Sequence, residues 1–185
     1  MTHNFSYSIR SVLLTRVLFS IKQSVYSVYA TIILLSLATK GQLHILLADD
    51  DDDDQDIFIK VMAEASAEIL VSTAKNGKEV LTMLNGAETL PDLIFLDLNM
   101  PVMGGLACLK EIRANYRYNS ILVFIYSTSY NEIHVEESFA DGANLYIPKP
   151  DSYLGLRKMA KFILSLNFKN FATPNRKEFL LKFNS

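Results

Sequence analysis

The sequence predicts an α/β fold in which helices cover both faces of one doubly wound parallel sheet. Between residues 43 and 165, short apolar runs alternate with amphipathic helical segments. The apolar runs are nearly continuous rather than alternately apolar and polar, which is typical of parallel strands buried on both faces. Turn signals that contain glycine, such as Asn76-Gly77 and Asp141-Gly142, separate the segments.

Five strands and five helices can be placed in order along the chain. The strand candidates are Leu43–Ala48, Ile69–Thr73, Leu93–Asp97, Ile121–Tyr126 and Ala143–Ile147. The helical patterns cover residues 55–66, 77–86, 105–115, 132–140 and 151–165. Five βα units of this length are joined by right-handed crossovers. The sequence therefore predicts a flavodoxin-like (βα)5 domain with a five-stranded parallel sheet over residues 41–165.

The composition excludes several classes of protein. A chain of 185 residues has room for one well-buried domain and not for two of ordinary size. The net charge of −2 gives no sign of a phosphate-binding surface, so nucleic acid is not an expected partner. Cys108 is the only cysteine, which excludes an intramolecular disulfide framework and fits a reducing, cytoplasmic location. The three histidines are scattered and lack the spacing of a zinc site.

Residues 1–40 form an extension ahead of this pattern. Its apolar stretches are interrupted by Lys22-Gln23, so neither reaches the roughly 20 residues that a membrane helix needs. Basic residues precede the apolar part and acidic residues follow it, which by the positive-inside rule would place the domain outside the cell. The pattern favours an amphipathic extension, or a start assigned upstream of the true one. A helix for dimerisation or membrane contact comes second, and a transmembrane anchor is least favoured.

Residues 166–185 form a short C-terminal tail. The tail contains several phenylalanines among lysines, and Pro174 interrupts it. We expect an amphipathic piece that packs on the domain, with a motif for docking a partner as the alternative. The tail is too short for a DNA-binding output domain.

Residues suited to phosphoryl chemistry stand where the predicted strands end. Residues 49–54 are six consecutive aspartates, directly after the first strand. Such a run is often a solvated, self-repelling loop, but carboxylates at the C-terminal end of a buried strand lie where active sites form in open α/β sheets. Asp97 ends the third strand, Ser127 follows the fourth and Lys149 follows the fifth. A loop rather than a helix follows Asp97, so helix capping explains it poorly.

Together these residues predict a site for phosphoryl transfer. A hard divalent cation such as Mg²⁺ would relieve the repulsion among neighbouring carboxylates. Asp97 would act as the nucleophile and form an acyl phosphate. The cation and the Lys149 ammonium would neutralise charge on the phosphoryl oxygens, and the Ser127 hydroxyl would donate a hydrogen bond to the new group.

Residues 43–165 resemble a response-regulator receiver domain over their whole length. The similar stretches are LLADDDDDD, DLIFLDLNMP, YSTS and GANLYIPKP. They are most similar to the small stand-alone, chemotaxis-regulator-like receivers of bacterial two-component systems. The resemblance implies a switch that receives a phosphoryl group from a sensor histidine kinase or a phosphotransfer protein. Its output would be contact with a downstream protein or a second copy of the chain, with no enzymatic activity beyond its own phosphorylation and dephosphorylation.

The resemblance implies a role for each matched acidic position. Asp97 would be the phosphoacceptor. The ligands of Mg²⁺ or Mn²⁺ would be Asp49, Asp50, Asp97 and the backbone carbonyl of Asn99. The aspartate run is longer than usual, so a register shifted by one residue would make Asp50 and Asp51 the acidic pair, although the apolar strand ending at Ala48 favours Asp49 and Asp50. Gly104 departs from the family, which often has Asp or Asn there, and implies a more flexible loop.

The resemblance also implies how the switch works. Lys149 would contact the phosphoryl group, and the Lys149–Pro150 bond would be cis. Ser127 would be the switch hydroxyl and Tyr146 the switch aromatic, although a buried strand aromatic is a second interpretation of Tyr146. On phosphorylation Ser127 would move inward, Tyr146 would rotate toward the core, and the face built from the fourth helix, fifth strand and fifth helix would change.

Three other functions remain open at this point. A receiver-like binding module that is never phosphorylated is one, although the set of Asp97, Ser127 and Lys149 counts against it. A haloacid-dehalogenase-type phosphatase also uses an aspartate nucleophile, but Asn99 replaces the second acid of its motif and the chain lacks room for a cap domain. A membrane-tethered scaffold would rest on residues 11–39 alone.

Overall fold

Five parallel strands form the sheet of the computed structural model, which describes residues 42–183. The strands lie side by side in the order β2-β1-β3-β4-β5. Their bounds are β1 Leu43–Ala48, β2 Ile69–Ala74, β3 Leu93–Leu96, β4 Leu122–Ser127 and β5 Leu145–Pro148. The predicted flavodoxin-like sheet is therefore confirmed. The predictions for residues 1–40 lie outside the described residues.

A helix follows each strand. Their bounds are α1 Asp52–Ala65, α2 Gly77–Gly86, α3 Gly105–Ala114, α4 Glu132–Ala140 and α5 Tyr153–Ser165. Two short 3-10 turns, Tyr116–Tyr118 and Phe168–Asn170, follow α3 and α5. Within residues 42–183, no helix is long and apolar enough to cross a membrane.

The sheet separates two apolar layers because successive side chains of a strand point to opposite faces. Along β1, Ile45 and Leu47 lie in one buried cluster with residues of α1 and α5. Leu46 and Ala48 lie in the other cluster with residues of α2, α3 and α4. Both faces of the strand are therefore covered, which explains why the strands are apolar throughout.

Helix α1 begins at Asp52, earlier than the predicted start at residue 55. Asp51 is its N-cap, and its side chain accepts hydrogen bonds from the backbone N–H groups of Asp53 and Asp54. Carboxylates in the first turn of a helix interact favourably with the positive end of its dipole. The acidic run therefore starts the helix instead of forming a solvated loop.

Candidate functional site

The carboxyl ends of four strands meet at one edge of the sheet and bring the predicted site residues together. The backbone N–H of Asp97 donates to the carbonyl of Ala48 at 2.9 Å, which places the ends of β3 and β1 side by side. The backbone N–H of Lys149 donates to the carbonyl of Ser127 at 3.1 Å, which does the same for β5 and β4. The side chains of these strand-end residues therefore converge because the strands are parallel and in register.

Three carboxylates form an acidic cluster at this edge. One oxygen each from Asp49, Asp50 and Asp97 lies within 4.8 Å of the others. Asp49 and Asp97 are buried whereas Asp50 is exposed, so the cluster opens to solvent on one side. Asp51 is occupied as the cap of α1. This arrangement supports Asp49 and Asp50 as the acidic pair over the register shifted by one residue.

The acidic cluster fits a hard divalent cation. Its donors are carboxylate oxygens, which Mg²⁺ and Mn²⁺ prefer. The side-chain oxygen Oδ2 of Asp49 is buried and receives no aligned hydrogen bond, only the ion contact from Lys149. The N–H of Asn99 donates to Oδ1 of Asp97 at 3.2 Å, so Asn99 lies beside the cluster. The role of its carbonyl as a ligand stays a prediction.

Lys149 places a largely buried ammonium among the carboxylates. Its Nζ lies 2.7 Å from Oδ2 of Asp49, 2.7 Å from Oδ2 of Asp54 and 3.2 Å from Oδ2 of Asp97. Burial lowers the pKa of Lys149, but these carboxylates outweigh it and raise the pKa above its ordinary value. Burial raises the pKa of Asp49, against the opposing effect of Lys149. The site therefore holds a fixed positive charge at neutral pH.

Two residues of α1 belong to the site although the sequence did not point to them. Asp54 supplies the third carboxylate to Lys149. Gln55 is buried, and its Nε2 donates to the carbonyl of Asp49 at 2.5 Å, which fixes the start of the acidic run. The cap at Asp51, which the sequence alone does not reveal, places residues 54 and 55 at the end of the first turn of α1.

Ser127 and Tyr146 are both directed inward. The Ser127 hydroxyl donates to Oδ1 of Asp97 at 2.6 Å. Tyr146 is fully buried, and its hydroxyl donates to the carbonyl of Ser129. Burial, with a smaller contribution from Asp97, raises the pKa of Tyr146 to about 12, so the phenol remains a donor. Both side chains thus lie inside the domain and not at its surface.

The prediction of a cis Lys149–Pro150 bond is wrong. The described residues contain no cis peptide bond. A trans bond before proline is favoured by roughly 0.5–1 kcal/mol in the absence of opposing contacts. Lys149 nevertheless reaches the three carboxylates from the trans chain.

The loop after Asp97 approaches α3 closely at Gly105. A Cβ atom there would lie 2.2 Å from the carbonyl oxygen of Asp97, so the position requires glycine. Gly104 is the N-cap of α3 and provides no side-chain cap. Cys108 is buried in the same helix, and burial raises the pKa of its thiol to about 12, which fits a packing residue.

Comparison with known proteins identifies similar sequences. The family model of the response regulator receiver domain matches residues 45–161 of this chain. A protein-glutamate methylesterase/protein-glutamine glutaminase of Trichodesmium erythraeum is 31% identical over 119 residues, which is 64% of this chain and 33% of that protein. The sensory transduction protein LytT of Oceanobacillus iheyensis is 30% identical over 111 residues, 60% of this chain and 44% of LytT. The chain thus spans less than half the length of these curated relatives.

Solved structures share the fold, and this chain aligns with them over almost their whole length. The phosphorylated cyanobacterial phytochrome response regulator RcpA has a TM-score of 0.62 and 30% identity, over 66% of this chain and 91% of RcpA. The Mn²⁺-bound form of response regulator Rcp1 has a TM-score of 0.61 and 28% identity, over 71% of this chain and 98% of Rcp1.

Proposed function

The chain belongs to the response regulator receiver domain family, and from this premise we propose that it is a phosphorylation-dependent signalling switch with Asp97 as the phosphoacceptor. One observation carries the proposal. The carboxylate of Asp97 is held between the Ser127 hydroxyl on Oδ1 and the Lys149 ammonium near Oδ2, next to the acidic pair of Asp49 and Asp50. The nucleophilic carboxylate, the Lys149 ammonium and the Ser127 hydroxyl thus lie together at one edge of the sheet.

The reaction is a transfer of the phosphoryl group to an oxygen of Asp97. With a phosphohistidine donor, the new bond joins the Asp97 oxygen to phosphorus, and the phosphorus–nitrogen bond of the donor breaks. The imidazole leaves with the electron pair and takes a proton from solvent. Lys149 stabilises the negative charge on the phosphoryl oxygens, and Ser127 donates a hydrogen bond to the transferred group.

Asp49, Asp50, Asp97 and the Asn99 carbonyl would hold Mg²⁺ or Mn²⁺ in this site. The neighbour Rcp1 is described in a Mn²⁺-bound form, and the donors of the acidic cluster are of the matching chemical type. When bound, the ion supplies positive charge that offsets the repulsion between the carboxylates and the incoming phosphoryl group.

Mg²⁺ is expected to stabilise the folded chain through the acidic cluster. At a free concentration of 100 times its dissociation constant, a ligand that binds only the folded state raises the free energy of unfolding by about 2.7 kcal/mol. Asp50→Asn should remove most of this increase, measured by urea unfolding with and without Mg²⁺. Asp53→Asn is the matched control, because Asp53 lies in the same run but on the exposed side of α1. Equal stabilisation of the two variants would argue against a cation site at Asp50.

The Ser127 hydroxyl and the Tyr146 ring would transmit the phosphorylated state to α4, β5 and α5. One hydrogen bond from Ser127 to Asp97 supports the inward arrangement. The phosphoryl group adds negative charge and acceptor oxygens at that point. It therefore strengthens the hold on Ser127 and on the loop that accepts the hydrogen bond of Tyr146.

Ser127→Ala is expected to separate phosphorylation from signalling. The variant keeps Asp97 and Lys149, so it should still take up a phosphoryl group. It should lose the phosphorylation-dependent change in hydrogen exchange over α4 and β5, whereas Ser127→Thr, which restores a hydroxyl, should retain it. An intact change in the alanine variant would exclude Ser127 as the link.

We also propose the partners and the location of the switch. Upstream is a sensor histidine kinase or a phosphotransfer protein, and the output is contact with a downstream protein or with a second copy of the chain. The domain acts as a cytoplasmic switch and catalyses only its own phosphorylation and dephosphorylation. We divide the chain into an extension at 1–40, a receiver domain at 41–165 and a tail at 166–185.

The proposed function is tested by incubating the full chain with acetyl phosphate and following its intact mass. We expect Mg²⁺-dependent addition of one phosphoryl group, which hydroxylamine removes because an acyl phosphate is cleaved by this nucleophile. An unchanged mass under all conditions would instead identify a binding module that is never phosphorylated.

A further inference from the structure

The tail crosses the free edge of the sheet at Tyr146. Strand β5 is at one end of the sheet. The backbone N–H of Tyr146 donates to the carbonyl of Phe179 at 2.9 Å, and the N–H of Leu181 donates to the carbonyl of Tyr146 at 2.9 Å. The N–H and the carbonyl of Tyr146 that point away from β4 are therefore both hydrogen-bonded to the tail. We call residues 173–183 the C-terminal strap.

The strap closes the apolar layer that holds the Tyr146 ring. Phe179 is fully buried, and its ring lies 5.1 Å from the Phe139 ring of α4 in an edge-to-face arrangement. Phe179, Tyr146 and Val135 belong to one buried cluster. The aromatic side chain of the strap thus lies in the same buried cluster as the ring of Tyr146.

Ionic and polar contacts attach the strap to the elements next to the switch. The Arg176 guanidinium contacts Glu136 at 2.8 Å and Glu132 at 2.5 Å, both on α4. The ammonium of Lys182 lies 2.6 Å from the hydroxyl of Tyr130 and 3.9 Å from the centre of its ring. The strap therefore joins the β4–α4 loop and α4 to the edge of β5.

A short chain of hydrogen bonds connects the strap with the acceptor carboxylate. The Ser127 hydroxyl donates to Asp97. The hydroxyl oxygen of Ser127 also accepts a hydrogen bond from the N–H of Ser129 at 3.3 Å. The carbonyl of Ser129 accepts from the hydroxyl of Tyr146. The backbone of Tyr146 then carries both hydrogen bonds of the strap. One residue thus bonds to the switch loop with its side chain and to the strap with its backbone.

We propose that the C-terminal strap holds Tyr146 in its inward position and so cooperates with the phosphoryl group on Asp97. The inference rests on the proposed function and adds the regulation of that site by the tail. If Tyr146 rotated outward, its ring would leave the buried cluster that it shares with Phe179, so the strap would lose apolar contact there. Strap docking and the inward ring therefore favour each other.

Cooperation of this kind is reciprocal. If a phosphoryl group at Asp97 stabilises the docked strap, then a docked strap increases the affinity of the site for the phosphoryl group by the same factor. Loosening the strap from outside the site should weaken binding of a phosphoryl mimic, although no contact with Asp97, Lys149 or Ser127 has changed.

The experiment uses the full chain and beryllofluoride with Mg²⁺ as the phosphoryl mimic. Fluorine NMR titration gives the affinity, and hydrogen exchange at the amide of Tyr146, which donates to the carbonyl of Phe179, reports on strap docking. In the wild type, beryllofluoride should slow this exchange several-fold. Arg176→Gln removes two ion pairs and should speed the exchange in the free protein by about fivefold, which corresponds to a combined loss of about 1 kcal/mol. Its affinity for beryllofluoride should fall in proportion to the loss of the docked state, by about fivefold at most.

Two further variants make the result decisive. Lys177→Gln removes the same charge from an exposed position of the strap and should change neither quantity. Leu181→Pro removes the N–H that donates to Tyr146 and should repeat the effect of Arg176→Gln.

Each contrary result has a separate meaning. Exchange of the strap that beryllofluoride leaves unchanged in the wild type, although it binds, would overturn the cooperation. Unchanged exchange in both Arg176→Gln and Leu181→Pro would overturn the attachment itself. Absence of beryllofluoride binding in the wild type would instead contradict the proposed function on which the inference rests.

Discussion

Asp97→Asn is expected to abolish uptake of a phosphoryl group from acetyl phosphate in the presence of Mg²⁺. The amide has no anionic oxygen to form the bond to phosphorus. It still offers an oxygen to the Ser127 hydroxyl and to the N–H of Asn99, which contact Oδ1 of Asp97 in the wild type. The fold should therefore survive, while the rate of mass gain falls by at least about a thousandfold, as for other nucleophile substitutions.

Asp92→Asn is the matched control for this substitution. Asp92 precedes the opposite end of β3 and its carboxylate accepts from the N–H of His44, far along the strand from the acidic cluster. The control should be phosphorylated like the wild type. Uptake by Asp97→Asn at a comparable rate would show that another side chain is the acceptor.

Lys149→Met is expected to have the second largest effect. Methionine matches the length of the apolar stem but removes the only ammonium that contacts Asp49, Asp54 and Asp97 among the described residues. Removing one group that stabilises charge in a transition state typically costs about a hundredfold or more in rate. The initial rate of mass gain with acetyl phosphate and Mg²⁺ should fall by about this factor.

The same substitution should lower stability in the absence of Mg²⁺. The side chain of Lys149 is 9% exposed, and removing one partner of a buried ion pair costs about 3 kcal/mol or more because the remaining charge is unpaired. Lys75→Met is the control for both the rate and the stability, since Lys75 pairs with Asp52 of the same acidic run but is 39% exposed. If both variants lose rate equally, net charge near the acidic run matters and the specific position of Lys149 does not.

The order of strands and helices could be predicted because each buried strand is apolar on both faces and each is bounded by turn residues. The carboxyl ends of parallel strands meet at one edge, so Asp49, Asp97, Ser127 and Lys149 could be placed together without coordinates. The start of α1 was placed too late, because an aspartate run is ambiguous between a solvated loop and a helix start until the cap at Asp51 is seen.

Contacts that depend on how helices and tail pack could not be predicted. The approach of Asp54 to Lys149 depends on the rotation of α1 about its axis, which the sequence pattern constrains only loosely. The pairing of Tyr146 with Phe179 and Leu181 depends on the path of the tail across β5. The tail has no periodic pattern from which that path could be predicted. The isomer of the Lys149–Pro150 bond was taken from the resemblance and was wrong.

The measurement that tests the central claim most directly is the location of the phosphoryl group in the phosphorylated wild type. Borohydride reduces an acyl phosphate to an alcohol and so converts a phosphorylated aspartate into homoserine, which peptide mass mapping then locates. We predict homoserine at position 97 and at no other aspartate, with aspartate retained at Asp49 and Asp50. Homoserine at either of those positions, or a borohydride-resistant phosphate on Ser127, would contradict the assignment of Asp97 as the phosphoacceptor.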